Sequence, residues 1–370
     1  MDSAVGATTE NQPKRWMHLN NDKWLMINTM KTRFLFFLFI IVIVLFSFSC
    51  KSNDPIVVPP TPPAFAKGAD VSWVTQMEAN GKLFYNASGT QTECMALLKS
   101  LGMNSIRLRV WVNPTDCWCN AQDMLAKAIR AKNLGMSIMI DFHYSDSWAD
   151  PGKQTKPAAW ANLSFTDLKT AVTSHTSTVL NLLKTNNITA EWVQVGNETG
   201  NGMLWPDGMA STNMANYAAL NNAGYDAVKS VFPNAKVIVH VQDGNNNSLF
   251  RWLFDGLLTD GGKWDVIGMS LYPSPTNWNV MDDACLTNMT DMISRYGKEV
   301  MICEVGMSWD SPTSAYNFLT DIINKTISIP NGKGLGVFYW EPECMASWNN
   351  YTLGAFDDSG KPTAALNAFN

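Results

Sequence analysis

Two glutamates, Glu198 and Glu304, come at the ends of short apolar runs of the kind that form buried strands. A carboxylate in that place is costly to bury unless it faces a functional cavity. Two carboxylates on one pocket have the chemistry to hydrolyse a glycosidic bond, because one protonates the leaving oxygen and the other acts at the anomeric carbon. A gap of ~5 Å predicts retention of configuration and ~6.5–9.5 Å predicts inversion. We expect retention.

A simpler reading of each glutamate remains open. Arg107 and Arg109 lie in an apolar run of their own, and a buried arginine needs an acidic partner. Taken alone, Glu198 or Glu304 fits that structural role as well as a catalytic one. Their joint occurrence after the fourth and seventh predicted strands favours catalysis.

Eight short runs rich in β-branched or aromatic residues alternate with helical stretches along residues 64–370. This alternation predicts repeated β/α units around a parallel sheet, and eight parallel strands close into a barrel. We therefore predict an α/β protein with a single (β/α)8 TIM-barrel domain. The rival fold, an open doubly wound sheet, lacks its glycine-rich phosphate loop after the first strand. The predicted strands are residues 65–72, 105–111, 136–143, 192–198, 237–242, 266–272, 300–304 and 335–341.

Polar residues cluster at the carboxyl ends of these strands, where the loops of a parallel barrel converge on the active site. We predict that they share one pocket with the two glutamates. Glu304 must be ionised to attack, so a cation or hydroxyl donor is expected to lower its pKa, whereas charge repulsion and a dry wall are expected to raise the pKa of Glu198. The candidate donors to Glu304 are Arg107, Arg109 and Tyr272. The remaining strand-end residues are Asp70, Asp141, His143, Asn197, His240, Asp243, Trp340 and Glu341.

The N-terminal region, residues 1–49, is predicted to be an extension followed by a signal peptide. Lys31 and Arg33 precede an apolar run over residues 34–46, which is short for a membrane span of ~20 residues. The run leads into Cys50, the predicted lipidated residue of a bacterial lipoprotein, and residues 50–63 add a proline-rich linker. We expect an exported protein, at the outer membrane and cell surface or facing the periplasm. An uncleaved anchor helix is the alternative.

The amino-acid composition excludes some classes of binding partner and favours others. The 27 Lys and Arg against 32 Asp and Glu give a net charge of −5, which offers no basic surface for nucleic acid. Fifteen Trp and nine Tyr supply aromatic faces suited to sugar rings. No histidine pair, acidic loop or cysteine spacing is typical of a metal site, so we predict no metal and no cofactor. We expect a monomer; the sequence leaves the pairing of the cysteines other than Cys50 open.

The domain resembles glycoside hydrolase family 53, the arabinogalactan endo-β-1,4-galactanases. The stretches that carry the resemblance run through almost the whole domain. They are GADVSWV, NSIRLRVWVNP, DFHYSDSWADPGKQTKPAAW, VQVGNETGNGMLWP, IGMSLYP and GVFYWEP. The resemblance implies a β-1,4-galactan substrate, such as the side chains of pectin.

The resemblance also implies roles for individual residues. Glu198 becomes the acid/base, Glu304 the nucleophile, and Asn197 the partner of the sugar 2-hydroxyl. Trp340 becomes the platform under the sugar at the cleavage point, with further aromatic candidates in adjacent loops. His143 and His240 bond sugar hydroxyls by the same analogy, or are satisfied core residues. Further candidates in the loops are Trp111, Trp148 and Trp205, and Asp146, which either orients a hydroxyl or shapes its loop.

Two departures from the family pattern leave the outer sugar subsites open. Glu343, Cys344 and Met345 follow YWEP where a tryptophan is usual, and Val305 follows Glu304 where a threonine is usual. Two rival functions therefore remain: a related retaining barrel glycosidase acting on another β-glycan, and a glycan-binding lipoprotein whose barrel has no activity.

Overall fold

The computed structural model describes residues 65–370, which form a closed barrel of eight parallel strands. The strands neighbour one another in chain order, and the barrel closes where Asp70 of the first strand lies opposite Trp340 of the last. The predicted (β/α)8 TIM barrel is confirmed. The strands are β1 Ala66–Asp70, β2 Ser105–Val110, β3 Ser137–Phe142, β4 Trp192–Val195, β5 Lys236–Val241, β6 Val266–Leu271, β7 Glu299–Val305 and β8 Gly334–Trp340.

Helices follow the strands as expected of β/α units. Gly102 and Gly135 have φ values of 93° and 68°, so they occupy the left-handed region just after two helix ends, as the sequence predicts. At a helix start, the Asn120 side chain accepts hydrogen bonds from two backbone N–H groups. The helices are α1 Val74–Ala79, α2 Cys94–Ser100, α3 Ala121–Asn133, α4 Phe165–Thr185, α5 Met214–Val231, α6 Asn247–Thr259, α7 Trp278–Tyr296 and α8 Pro312–Ile327.

The barrel interior has an apolar floor and a polar upper layer. The polar layer lies above this floor, nearer the carboxyl ends of the strands, where Arg107, Gln194 and His240 are fully buried. Because charged and polar groups lose hydration there, each needs partners inside the barrel. The floor consists of Ala66, Met139, Trp192, Ile238, Val266, Met301, Cys303, Leu335 and Phe338.

Several predictions concern residues 1–64 and lie outside the described residues: the signal peptide, lipidated Cys50 and the linker. Among residues 65–370, no helix has the length and apolarity needed to cross a membrane. The cysteines in the described part of the chain are all free, and Cys94 and Cys303 are buried like small apolar residues.

Candidate active site

A β-bulge places Glu304 inside the barrel mouth. Along the β6–β7 pair, Met269 lies opposite Ile302 and Ser270 lies opposite Glu304, so Cys303 is an extra residue on β7. Without that bulge, side chains of a strand alternate between faces, and Cys303 and Glu304 would point to opposite sides. Here Cys303 packs into the apolar floor while Glu304 reaches the polar layer above it.

Glu198 enters the same mouth from a turn. β4 ends at Val195, three residues earlier than predicted, and Glu198 has a φ of 47°. That left-handed conformation is uncommon for a non-glycine residue and needs support from its surroundings. Thr199 provides it, because its backbone N–H and hydroxyl both donate to the carbonyl of His240, at 2.8 and 3.1 Å.

The two glutamates share one pocket. A carboxyl oxygen of Glu198 and one of Glu304 lie within 4.8 Å of each other, at the edge of a cavity of about 260 Å³. This gap corresponds to retaining enzymes, since an inverting pair leaves room for a water molecule at ~6.5–9.5 Å. The pocket is lined by His143, Trp148, Ala149, Asp150, Asn197, Glu198, Tyr272, Glu304, Trp340, Tyr351 and Leu353.

Arg107 organises the charge below the pocket. Its guanidinium contacts Glu304 at 2.8 Å, Asp70 at 2.6 Å and Asp141 at 2.9 Å, and all four groups are buried. Tyr272 donates a hydrogen bond to the other oxygen of Glu304 at 2.8 Å. Both oxygens of Glu304 are therefore bound by donors, which favours its ionised form.

Burial dominates the acidity of the pair. It raises the pKa of both Glu198 and Glu304 above the usual carboxyl value, while Arg107 lowers both. Arg107 and Tyr272 lower the pKa of Glu304 as predicted, but loss of hydration is the larger effect, so the pKa is raised overall. Two carboxyls this close titrate as a unit, because a charge on one opposes ionisation of the other. Since the donors gather on Glu304, a single proton on the pair belongs on Glu198.

Asn197 is held by three groups around the glutamates. Its side-chain oxygen accepts from Arg107 and from Nδ1 of His240, both at 2.9 Å, and its amide nitrogen donates to the carbonyl of Ala149. Because Asn197 lines the pocket, its second amide hydrogen is available to a sugar hydroxyl.

The two histidines are not free to bind sugar. With Nδ1 donating to Asn197, Nε2 of His240 accepts from the Ser270 hydroxyl at 2.8 Å, and burial lowers the pKa of His240 well below its usual value. His143 lines the pocket, but its Nε2 contacts Asp141 at 2.9 Å and its Nδ1 accepts from the backbone of Ala149. The family resemblance implied that these histidines bond sugar hydroxyls. Their contacts favour the alternative, that they are core histidines whose hydrogen bonds are already satisfied.

The hydrogen bonds of His240 also determine whether this site can bind a metal ion. In the described part of the chain, Glu198, His240 and Glu304 form a group whose potential ligand atoms lie within 4.8 Å of one another. Both nitrogens of His240 are occupied, by Asn197 and Ser270, so the imidazole has no lone pair left for an ion. The chemistry of this group fits acid–base work better than metal ligation.

Aromatic rings form the other wall. Trp340 and Tyr351 meet edge to face with ring centroids 4.9 Å apart, and Trp148 lies 5.7 Å from Trp340. The Arg109 guanidinium sits behind them, 4.2 Å from the ring centre of Trp148 and paired with Glu341. Arg109 therefore supports the wall from behind and does not contact Glu304, contrary to its predicted candidacy as a donor.

Comparison with known proteins identifies the family. The protein-family sequence model described as Glycosyl hydrolase family 53 matches residues 66–369 of this chain. These residues include all eight strands, both glutamates and the aromatic wall. The chain belongs to glycosyl hydrolase family 53. A Neosartorya fischeri protein named probable arabinogalactan endo-β-1,4-galactanase A is 33% identical over 311 residues, covering 78% of this chain and 86% of that relative.

Solved structures of family 53 proteins agree. A structure of a fungal β-1,4-galactanase matches with a TM-score of 0.75 at 31% identity, covering 82% of this chain and 98% of that one. The Ignisphaera aggregans GH53 catalytic domain matches with a TM-score of 0.76 at 31% identity, covering 85% and 97%. At this identity the likeness covers family as well as fold, so this chain is a glycoside hydrolase.

Some predicted residues of this family 53 chain lie away from the pocket. Asp146 accepts hydrogen bonds from the backbone of Asn113 and Ala158, so it shapes its loop. Trp205 is half-buried and donates to the carbonyl of Asn201, outside the pocket lining. Asp70, Arg107, Arg109, Asp141 and His240 lie beneath the pocket and hold the residues that line it.

Tyr351 and Leu353 line the pocket but were not predicted. They come from the long segment after β8, where no strand-end pattern marks them. The Tyr351 hydroxyl donates a hydrogen bond to the backbone carbonyl of Trp340 at 3.3 Å, which fixes this segment against the aromatic wall. An aromatic residue about ten positions beyond YWEP was the only sequence signal available.

Replacing Arg107 with methionine tests the charge network of this family 53 site. We expect both limbs of the pH–activity profile to move to higher pH, because Arg107 lowers the pKa of both glutamates and its loss raises them. We also expect the free energy of unfolding to fall by about 3–5 kcal/mol, since its buried carboxylate partners lose their cation. Arg251→Met, at an exposed pair with Asp291, is the matched control for both measurements. An unshifted profile would contradict this role for Arg107.

Proposed function

We propose that the protein is an endo-β-1,4-galactanase that cuts β-1,4-galactan with retention of anomeric configuration. The observation that carries the proposal is the separation of less than 4.8 Å between carboxyl oxygens of Glu198 and Glu304, in a pocket walled by Trp148 and Trp340. The names of the family 53 relatives supply the substrate class, since they are called β-1,4-galactanases.

The proposed first step forms a glycosyl-enzyme ester. A carboxylate oxygen of Glu304 attacks the anomeric carbon as the glycosidic C–O bond breaks, and Glu198 gives its proton to the departing oxygen. The leaving chain is released as an alcohol. Arg107 and Tyr272 hold Glu304 in place and stabilise its charge before attack. Asn197 offers its remaining amide hydrogen to the 2-hydroxyl.

The second step reverses the roles. Glu198, now a carboxylate, takes a proton from a water molecule whose oxygen attacks the anomeric carbon and breaks the ester bond. Glu304 leaves as a carboxylate and Glu198 is protonated again, so the enzyme returns to its starting state. Each step inverts the anomeric centre once, and two inversions give net retention.

Product analysis on a panel of polysaccharides tests the substrate class. We expect linear β-1,4-galactan to give a ladder of galacto-oligosaccharides, with little reducing sugar from β-1,4-xylan, β-1,4-mannan or cellulose. Faster release from another β-glycan would support a related glycosidase instead. Measurable binding of galactan with no reducing sugar from any polymer would support a glycan-binding protein.

Localisation is proposed from the sequence alone. The apolar run at residues 34–46 followed by Cys50 supports export and a lipid anchor, with the proline-rich linker holding the barrel off the membrane surface.

Replacing Cys50 with alanine tests that anchor. We expect the protein to move from the membrane fraction to the soluble exported fraction, because the alanine cannot carry the acyl chains. Cell fractionation with galactanase activity as readout measures it. Cys117→Ala, at an exposed cysteine of the barrel, is the matched control. An unchanged membrane fraction for Cys50→Ala would refute lipid anchoring.

A further inference from the structure

The β7–α8 loop runs along the rim of the catalytic pocket. A Cβ atom added at Gly306 would lie 3.0 Å from the ring of Tyr272 and 3.4 Å from Leu353, two residues that line the pocket. Further along the loop, Trp309 donates its backbone N–H to the carbonyl of Thr352 at 2.9 Å. Thr352 lies between Tyr351 and Leu353, so the backbone of Trp309 adjoins the pocket wall.

Trp309 is exposed although the residues that lead into its loop are buried. Its exposed fraction is 38%, whereas Val305 and Met307 are fully buried and anchor the loop to the barrel. An exposed tryptophan on the rim of a binding pocket offers an aromatic face on which a ligand ring can stack. Among residues 65–370, Trp252 is the other tryptophan with comparable exposure, and it lies on the outer helix α6.

The loop also holds Trp309 in a preformed turn. Ser308 donates its hydroxyl to Asp310 at 2.8 Å, and the backbone N–H of Ser311 donates to the carbonyl of Ser308 at 3.0 Å. A side chain on a fixed turn binds a ligand with less loss of conformational freedom. Asp310, the next residue, adds a negative charge to this exposed loop, which disfavours an acidic sugar.

We propose that Trp309 is an outer sugar-binding subsite, a platform on which a neutral β-linked galactosyl unit stacks beyond the units held at the cleavage point. This inference rests on the proposed galactanase function and adds to it. It fills the place left open after YWEP, where Glu343, Cys344 and Met345 are all buried and supply no aromatic face to substrate. Trp309 presents its aromatic face to the C–H face of the galactose ring.

The test compares Trp309→Ala with Trp252→Ala on linear β-1,4-galacto-oligosaccharides of increasing length. For Trp309→Ala we expect kcat/KM on the longest oligosaccharides to fall by roughly 3- to 10-fold, the size of one aromatic stacking contact, with little change on the shortest cleaved one. Trp309→Phe is expected to recover most of the loss. Trp252→Ala is expected to match the wild type at every length.

Each outcome of this experiment either supports or overturns the proposed subsite at Trp309. A length-dependent loss confined to Trp309→Ala supports the subsite, whereas an equal loss at all lengths, or none, overturns it while leaving the proposed function intact. If the wild type cleaves no galacto-oligosaccharide but does cleave another glycan, the proposed function itself fails. Circular dichroism and thermal unfolding of the variants are expected to match the wild type, because both tryptophans are surface residues.

Discussion

Replacing Glu304 with alanine is expected to lower kcat on galactan by roughly 10⁵-fold or more, the order found when a covalent nucleophile is removed. Asp141 and Asp70 cannot replace it, since they lie beneath the pocket, bound to Arg107. Folding is expected to persist, because alanine removes a buried carboxyl whose pKa is raised by burial. Initial rates with reducing-sugar detection measure the loss.

Two observations separate loss of the nucleophile from general damage. Glu299→Ala, on the same strand but at its other end and paired with Lys236, is the control and is expected to retain turnover. Azide added to Glu304→Ala is expected to enter the space left by the carboxylate and give a galactosyl azide of inverted configuration. Near-wild-type turnover by Glu304→Ala without azide would exclude Glu304 as nucleophile.

Replacing Glu198 with alanine is expected to lower kcat on galactan by about 10²- to 10⁴-fold, the usual contribution of a general acid–base group. The loss depends on the leaving group. With a dinitrophenyl β-galactobioside, whose leaving group needs no proton, we expect the first step to proceed and the glycosyl-enzyme to accumulate. A burst of dinitrophenol followed by a slow steady state, together with a mass increase on Glu304, measures this.

Azide again distinguishes the roles. In Glu198→Ala it is expected to attack the glycosyl-enzyme from the face that water normally uses, which gives a galactosyl azide of retained configuration. The opposite configurations from the two variants follow from the two glutamates lying on opposite faces of the sugar ring. An identical loss on galactan and on the dinitrophenyl substrate would contradict the acid–base assignment of Glu198.

The barrel could be predicted from the sequence because local pattern and global fold agree. Apolar runs separated by helical periodicity repeat eight times, and glycines such as Gly102 and Gly135 end helices just before the next strand. The carboxyl ends of parallel strands converge for topological reasons, so the meeting of Glu198 with Glu304 also followed from strand order.

The fine geometry could not be predicted because it depends on long-range contacts. The bulge at Cys303 re-aims Glu304, and nothing in VMICE indicates an extra residue. The turn at Glu198 has a positive φ, and the next residue, Thr199, holds it by bonding the carbonyl of His240, 41 positions further along the chain. Strand propensity alone extends β4 through that turn.

Burial explains why the pKa of Glu304 is raised overall despite its cationic neighbour. The sequence identifies the cation near Glu304 but not the extent to which Glu304 loses water, and that loss is the larger cause. The same limit applies to Arg109, which turned out to pair with Glu341 and face Trp148. Which of two neighbouring arginines contacts a carboxylate is decided by barrel register and packing.

Proton NMR of the reducing ends released in the first minutes from a linear galacto-oligosaccharide tests the central claim most directly, since the gap between Glu198 and Glu304 fixes the stereochemical outcome. We predict that the β-anomer appears first and that the α-anomer grows in only by mutarotation. Initial release of the α-anomer would contradict the double-displacement role of the pair.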